Sequence, residues 1–132
     1  MKLRYTIFYV EDVAATLAFF NRAFGLETGF LHESKDYGEL VTGETKLAFS
    51  SRALMTSLGK SPLVPDPQRP TFEIAFETDD VAAALERARE AGATVVQEVR
   101  EEAWGQTTAY VTDPDGYLIE ICSPVSGTAS PD

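Results

Sequence analysis

Two glutamates, Glu73 and Glu120, are the residues whose type and setting point most directly to chemistry. Each lies inside a strand-like apolar run, Phe72-Glu73-Ile74-Ala75-Phe76 and Leu118-Ile119-Glu120-Ile121. Two carboxylates brought together in a dehydrated cleft should both hold their protons more tightly, and proximity pushes one higher still. Such a pair can hydrogen-bond a ligand, pair with an ammonium group, or act as acid and base. The competing reading has one or both reaching solvent, or pairing with Lys46 or an arginine. Aromatic residues supply a second chemistry. Trp104, Tyr37, Tyr110 and Phe30 could hold a flat or cationic ligand by stacking and cation–π contact. For Tyr110 ordinary sheet packing is the simpler reading, and a lone tryptophan is otherwise core or interface.

The remaining reactive side chains are few. Cys122 is the single cysteine, so an intrachain disulfide and a CxxC motif are both impossible. It is read first as a small buried hydrophobe and second as a reactive thiol. His32 is the single histidine, either a hydrogen-bonded surface residue or a contact at a cleft mouth. The chain has no Gly-rich phosphate loop and no G-x-S-x-G, and a Ser-His-Asp triad would have to use His32, for which there is no support.

An internal repeat must position these residues. Tyr5–Asp12 (YTIFYVED) leads into VAATLAFFNRAFG, and Glu73–Asp80 (EIAFETDD) leads into VAAALERAREAG. At an offset of 68, Asp12/Asp80, Val13/Val81, Ala14/Ala82, Ala15/Ala83, Leu17/Leu85 and Ala23/Ala91 are identical. Asp12 and Asp80 are placed to N-cap helices, and Gly25 and Gly92 to end them in a left-handed residue. Val13, Leu17, Phe20 and Phe24 recur at helical spacing, as do Val81, Leu85 and Ala88. Three strands are predicted after each helix, near 26–32, 37–42 and 45–51, then 94–100, 105–112 and 117–122. Strand alternation gives each strand one apolar face for a helix and one mixed face. Glu73, Ala75 and Glu77 share a mixed face, as do Leu118, Glu120 and Cys122, and Lys46, Ala48 and Ser50.

The fold class expected is therefore α+β. Tandem βαβββ modules form curved sheets around a cleft, with helices on the outer faces. One domain spans 1–124, with modules at about 1–52 and 70–124. The Pro-rich linker, 53–69, carries a short helix near 53–58, and the small polar tail at 125–132 is expected to be flexible.

The 132 residues are 44% apolar and 24% charged, enough for a real core. A net charge of −10 argues against nucleic acid and against an anionic membrane surface, and it fits a cationic ligand as well as plain solubility. With no secretory h-region and no spanning apolar run, the expected location is cytoplasmic.

The paired helix starts and the closing DPDGYLIEI at 113–121 resemble the vicinal oxygen chelate superfamily of glyoxalases, bleomycin-resistance proteins and extradiol dioxygenases. The likeness runs over roughly 3–124. The metal-ligand positions that this resemblance implies fall on Tyr5, Ala48, Glu73 and Glu120. Metalloenzymes of the family usually carry His, Glu or Gln, His and Glu there, so one expected ligand type is retained. No metal and no other cofactor is therefore expected, although two carboxylates and a tyrosine could still hold a weakly bound cation. The nearest match is to metal-free bleomycin-resistance-like members, in which a tryptophan placed like Trp104 lines the ligand slot.

The function expected from all this is metal-independent binding of a small aromatic or cationic molecule, with antibiotic or toxin sequestration as the role such binding could serve. Tyr37 and Trp104 would stack on it, and Tyr5, Glu73 and Glu120 would anchor its polar groups. A glyoxalase-like lyase or isomerase, or a dioxygenase, with a non-standard carboxylate site is the enzyme alternative. A domain with a vestigial cleft is the third. The resemblance also implies a homodimer, with halves of different chains completing each cleft.

Overall fold

The computed structural model describes residues 1–125. From 126 onward the predicted tail lies outside the described residues. The chain divides into two compact units, Met1–Val64 and Pro65–Asp132.

Unit 1 runs β1 (Tyr5–Val10), α1 (Val13–Phe24), β2 (Thr28–Leu31), β3 (Tyr37–Leu40), β4 (Lys46–Ser51) and α2 (Arg52–Ser57). Its sheet has the order β1-β4-β3-β2. β1 and β4 are parallel, and the other pairs are antiparallel. Asp12 starts α1 as expected, its carboxylate accepting the Ala15 N–H at 3.1 Å. Gly25 ends the helix at φ 69°. The core is aromatic. Phe8, Phe20 and Phe49 are fully buried, with ring centroids 5.2–6.5 Å apart. Val13, Leu17 and Phe20 face it as their spacing requires, and Thr16, Phe19 and Ala23 are buried as well. Gly38 lets β3 approach α1, since a Cβ there would sit 2.8 Å from Leu17 Cδ1.

Unit 2 repeats the plan as β5 (Glu73–Glu77), α3 (Val81–Glu90), β6 (Thr94–Glu101), β7 (Thr107–Thr112) and β8 (Leu118–Cys122). The order is β5-β8-β7-β6, again with a parallel first pair. Asp80 caps α3 through the Ala83 N–H at 3.0 Å. The α3 end is a two-bond motif. The Gly92 N–H donates to Arg89 O and the Ala93 N–H to Ala88 O, with Gly92 at φ 111°. Ala91 is thus the cap and Gly92 the left-handed residue after it. The core is aliphatic, built on Leu85, Ala88, Val111, Ile119 and Ile121. Ala88 stands where the repeat has Phe20 in unit 1. No helix among the described residues is long and apolar enough to cross a membrane.

The two units differ sharply in charge. Residues 1–64 hold seven basic and seven acidic side chains, whereas residues 65–132 hold four basic and fourteen acidic. The whole net charge of −10 therefore belongs to unit 2.

Candidate functional site

In unit 2 the face turned away from the core carries a row set by strand register. Glu120 lies opposite Ala75 on β5 and opposite Tyr110 on β7, and Tyr110 lies opposite Gln97 on β6. The Tyr110 side chain reaches across β8, and its hydroxyl donates to Glu73 Oε2 on β5 at 3.2 Å. Tyr110 thus belongs with the carboxylate pair rather than being sheet filler. Glu73 is exposed and Glu120 partly buried. Burial first, and then the charges of Glu73 and Glu102, hold the Glu120 carboxyl above the usual carboxylate range, while hydrogen bonding from Tyr110 pulls it back. The Tyr110 phenol is pushed well up by burial and by both glutamates, so it stays a donor at any ordinary pH. None of the salt bridges among the described residues involves Glu73 or Glu120.

A second polar group lies on the same sheet. Glu102 accepts from Thr108 Oγ1 at 2.7 Å and from Arg100 Nε at 3.1 Å. Those two partners hold its carboxyl below the usual range, Thr108 first. Gln97 donates to Thr108 Oγ1 at 3.1 Å. Cys122 is buried on the Glu120 side of β8. Burial and the nearby carboxylates push its thiol up, which keeps it protonated and unreactive at neutral pH.

Trp104 sits in the β6–β7 turn and is 56% exposed. Its indole N–H donates to Gln106 Oε1 at 2.8 Å, and Gln106 donates in turn to Ser123 O at 2.9 Å. The W-G-Q sequence therefore works as a mount, with the glutamine tying an exposed indole to the residue following β8.

Unit 1 presents a different face. Tyr5 lies opposite Lys46, and Glu39 lies opposite Ala48 on β4 and Phe30 on β2. The Tyr37 hydroxyl donates to Glu39 Oε2 at 2.7 Å, and Lys46 Nζ lies 3.4 Å from Glu39 Oε1. Lys46 is thus committed to Glu39. Burial and Glu39 push the Tyr37 phenol well up. Tyr5 and Phe30 are both close to half exposed. His32 is exposed at the end of β2, with Nδ1 2.8 Å from Ser34 Oγ and accepting the Ser34 N–H at 3.0 Å, a turn role.

The positions that the resemblance assigns to metal ligands do not fit a transition metal. In unit 1 they hold a phenol and the buried methyl of Ala48, which offers no donor. In unit 2 they hold Glu73 and Glu120, with Tyr110 bonded to Glu73. Among the described residues no group of three or more His, Cys, Asp or Glu side chains is arranged to hold a metal ion. Tyr110, Glu39 and Gln106 are the site residues that the sequence reading passed over or assigned to packing. The glutamine two residues after Trp104 was the one local signal.

Comparison with known proteins adds a family. The family model described as Glyoxalase/Bleomycin resistance protein/Dioxygenase superfamily matches residues 2–121. A lactoylglutathione lyase of Neisseria meningitidis is 32% identical, over 98% of this chain and 96% of that protein. One from Salmonella typhimurium is 29% identical, over 92% and 91%. Among solved structures, a glyoxalase-related enzyme from Fulvimarina pelagi superposes with a TM-score of 0.81 at 20% identity, covering 94% of this chain and 88% of that one. A glyoxalase/bleomycin resistance protein/dioxygenase family enzyme from Burkholderia phytofirmans gives 0.77 at 23%, covering 96% and 100%. With paired βαβββ modules and a family match over nearly its whole length, the chain belongs to the glyoxalase/bleomycin resistance protein/dioxygenase superfamily.

Proposed function

We propose that this protein is a metal-independent binder of a small aromatic or cationic molecule, of the bleomycin-resistance type. The observation that carries the reading is the Glu73–Tyr110–Glu120 group, two carboxylates on one sheet face with a phenol between them that donates to Glu73, neither having a salt-bridge partner among the described residues. A ligand ammonium or amidinium would supply the missing positive charge through charge-assisted hydrogen bonds. The concentration of net negative charge in unit 2 would draw such a ligand in. Trp104, mounted and exposed, offers a stacking surface in the same unit. Tyr5 and Tyr37 offer aromatic surface in unit 1, beside the Lys46–Glu39 pair. The same reading has the protein as a cytoplasmic homodimer, which light scattering and cell fractionation check.

Trp104 is the single tryptophan, so its fluorescence reports binding directly. Planar cationic, neutral and anionic compounds are titrated in the presence of a chelator. Saturable quenching by the cationic set, weakened about tenfold or more by Glu73→Gln or Glu120→Gln, is the expected result. Quenching that ignores ligand charge and both substitutions would sink the reading.

An enzyme reading draws on one observation, the Glu120 carboxyl held above the usual carboxylate range by burial and by Glu73, which is the direction general-acid work needs. The curated relatives named lactoylglutathione lyase give that reading its reaction class. Turnover in a chelator-treated lyase assay, abolished by Glu120→Gln, would favour it over binding alone.

A further inference from the structure

The turn joining β7 to β8, Asp113-Pro114-Asp115-Gly116, contains a carboxyl group that the proposed site does not use. Asp113 is only 4% exposed. Its side chain and backbone clasp the turn. Oδ1 accepts the Tyr117 N–H at 2.9 Å, the Asp113 N–H donates to Tyr117 O at 3.0 Å, and the Gly116 N–H donates to Asp113 O at 2.9 Å. Oδ2 is buried and has no hydrogen-bond partner among the described residues. The turn depends on its glycine. Gly116 sits at φ 101°, and a Cβ there would lie 3.1 Å from Pro65 O.

A buried carboxylate oxygen with nothing to bond is costly when charged and much less so when neutral. We propose that Asp113 is a pH-operated latch on the β7–β8 turn, closed while its carboxyl is protonated and loosened when it ionises. The Asp113 carboxyl is raised to about 7, first by burial and then by the Asp115 charge, against which the turn N–H groups act in the opposite sense. Asp115, on the same turn, is the charged neighbour that acts on it. The residues flanking it on the packed strands, Thr94, Thr112 and Leu118, are uncharged, as is Pro65 of the preceding segment.

The sign follows from linkage. The folded state keeps the Asp113 proton to a higher pH than the unfolded chain does. Its contribution to stability is therefore full below the ordinary aspartate range and is lost as pH rises through about 7. The loss falls on the segment that sets the register of β8, and β8 places Glu120 opposite Tyr110. A modest rise in pH would thus loosen the strand that holds the carboxylate pair together.

The test is residue-resolved NMR on the full chain between pH 5.5 and 8.5, with the Asp113→Asn variant alongside. The Asp113 side-chain carboxyl should titrate with a midpoint near 7. Protection of the Gly116 and Tyr117 amides, corrected for intrinsic exchange, should fall roughly tenfold or more through that midpoint. Asp113→Asn should hold its protection flat. An Asp113 midpoint near 4, or Tyr117 protection unchanged over the range in the wild-type chain, overturns the proposal. Both readouts come from the wild-type protein, so a poorly folding variant leaves the test intact.

Discussion

The two sheets share a strand order and differ in what they carry away from their cores. In unit 1 the carboxylate on that face, Glu39, is bonded to Tyr37 and neutralised by Lys46. In unit 2 Glu73 accepts from Tyr110, Glu120 stands opposite Tyr110, and neither carboxylate has a salt-bridge partner among the described residues. The cores diverge too, with Phe8, Phe20 and Phe49 filling one and aliphatic residues the other. The caps that set the helices have not diverged, since Asp12 and Asp80 make the same bond. Duplication has kept the parts that specify the fold and released the parts that specify the chemistry. One unit has become self-neutralised and the other acceptor-rich.

Breaking the core difference should give the largest effect. Phe20→Ala removes the ring that packs on Phe8 and Phe49, and should cost about 3–5 kcal/mol in chemical denaturation. Ala88→Phe places the unit 1 residue in the aliphatic core and should cost about 1–3 kcal/mol through overpacking. A smaller loss for Phe20→Ala than for Ala88→Phe would mean that the aromatic cluster does not dominate unit 1.

The electrostatic difference comes next. Glu73→Gln removes a like charge beside Glu120 and should lower the Glu120 midpoint in carboxyl NMR. Tyr110→Phe removes a hydrogen bond to the charged form and should raise it. Lys46→Met, in the other unit, should leave it unmoved. The caps should behave alike, Asp12→Ala and Asp80→Ala each costing about 1 kcal/mol. Smallest of all, Lys46→Met should change stability by under about 1 kcal/mol, because the lysine side chain is 41% exposed and solvent screens its pair with Glu39. Salt titration of binding then sharpens the contrast, since ligand affinity should weaken with ionic strength while the Glu39–Tyr37 bond, between neighbours on one strand, should not respond.

Much of the fold was legible because the repeat preserves the signals that sequence shows best. Caps, helical spacing and strand alternation are local, and they placed Asp12, Asp80, Leu17, Leu85 and the two faces of β8 correctly. The short helix after β4 was also readable, displaced by one residue. What escaped depends on cross-strand register. That Glu39 meets Lys46, or that Tyr110 reaches Glu73, follows from which residues stand opposite one another. Register shifts lie between Thr28 and Phe30 on β2 and on both sides of Gln97 on β6, and alternation alone cannot locate them. The width of the α1 contact was missed for another reason. Phe19 and Ala23 lie off the stripe set by Val13, Leu17 and Phe20, yet α1 crosses β2, β3 and β4 and buries them as well.

The central claim is that Glu73 and Glu120 of unit 2 serve as acceptors for a ligand and not as part of a metal centre. Its most direct test is equilibrium dialysis of the purified protein against Zn²⁺, Ni²⁺ and Co²⁺, with lactoylglutathione lyase activity assayed on the same samples. The account predicts substoichiometric metal, no metal-dependent lyase activity, and Trp104 quenching by cationic compounds that is the same with or without chelator. One tightly bound metal ion per chain, lost in Glu73→Gln or Glu120→Gln and required for turnover, would contradict it.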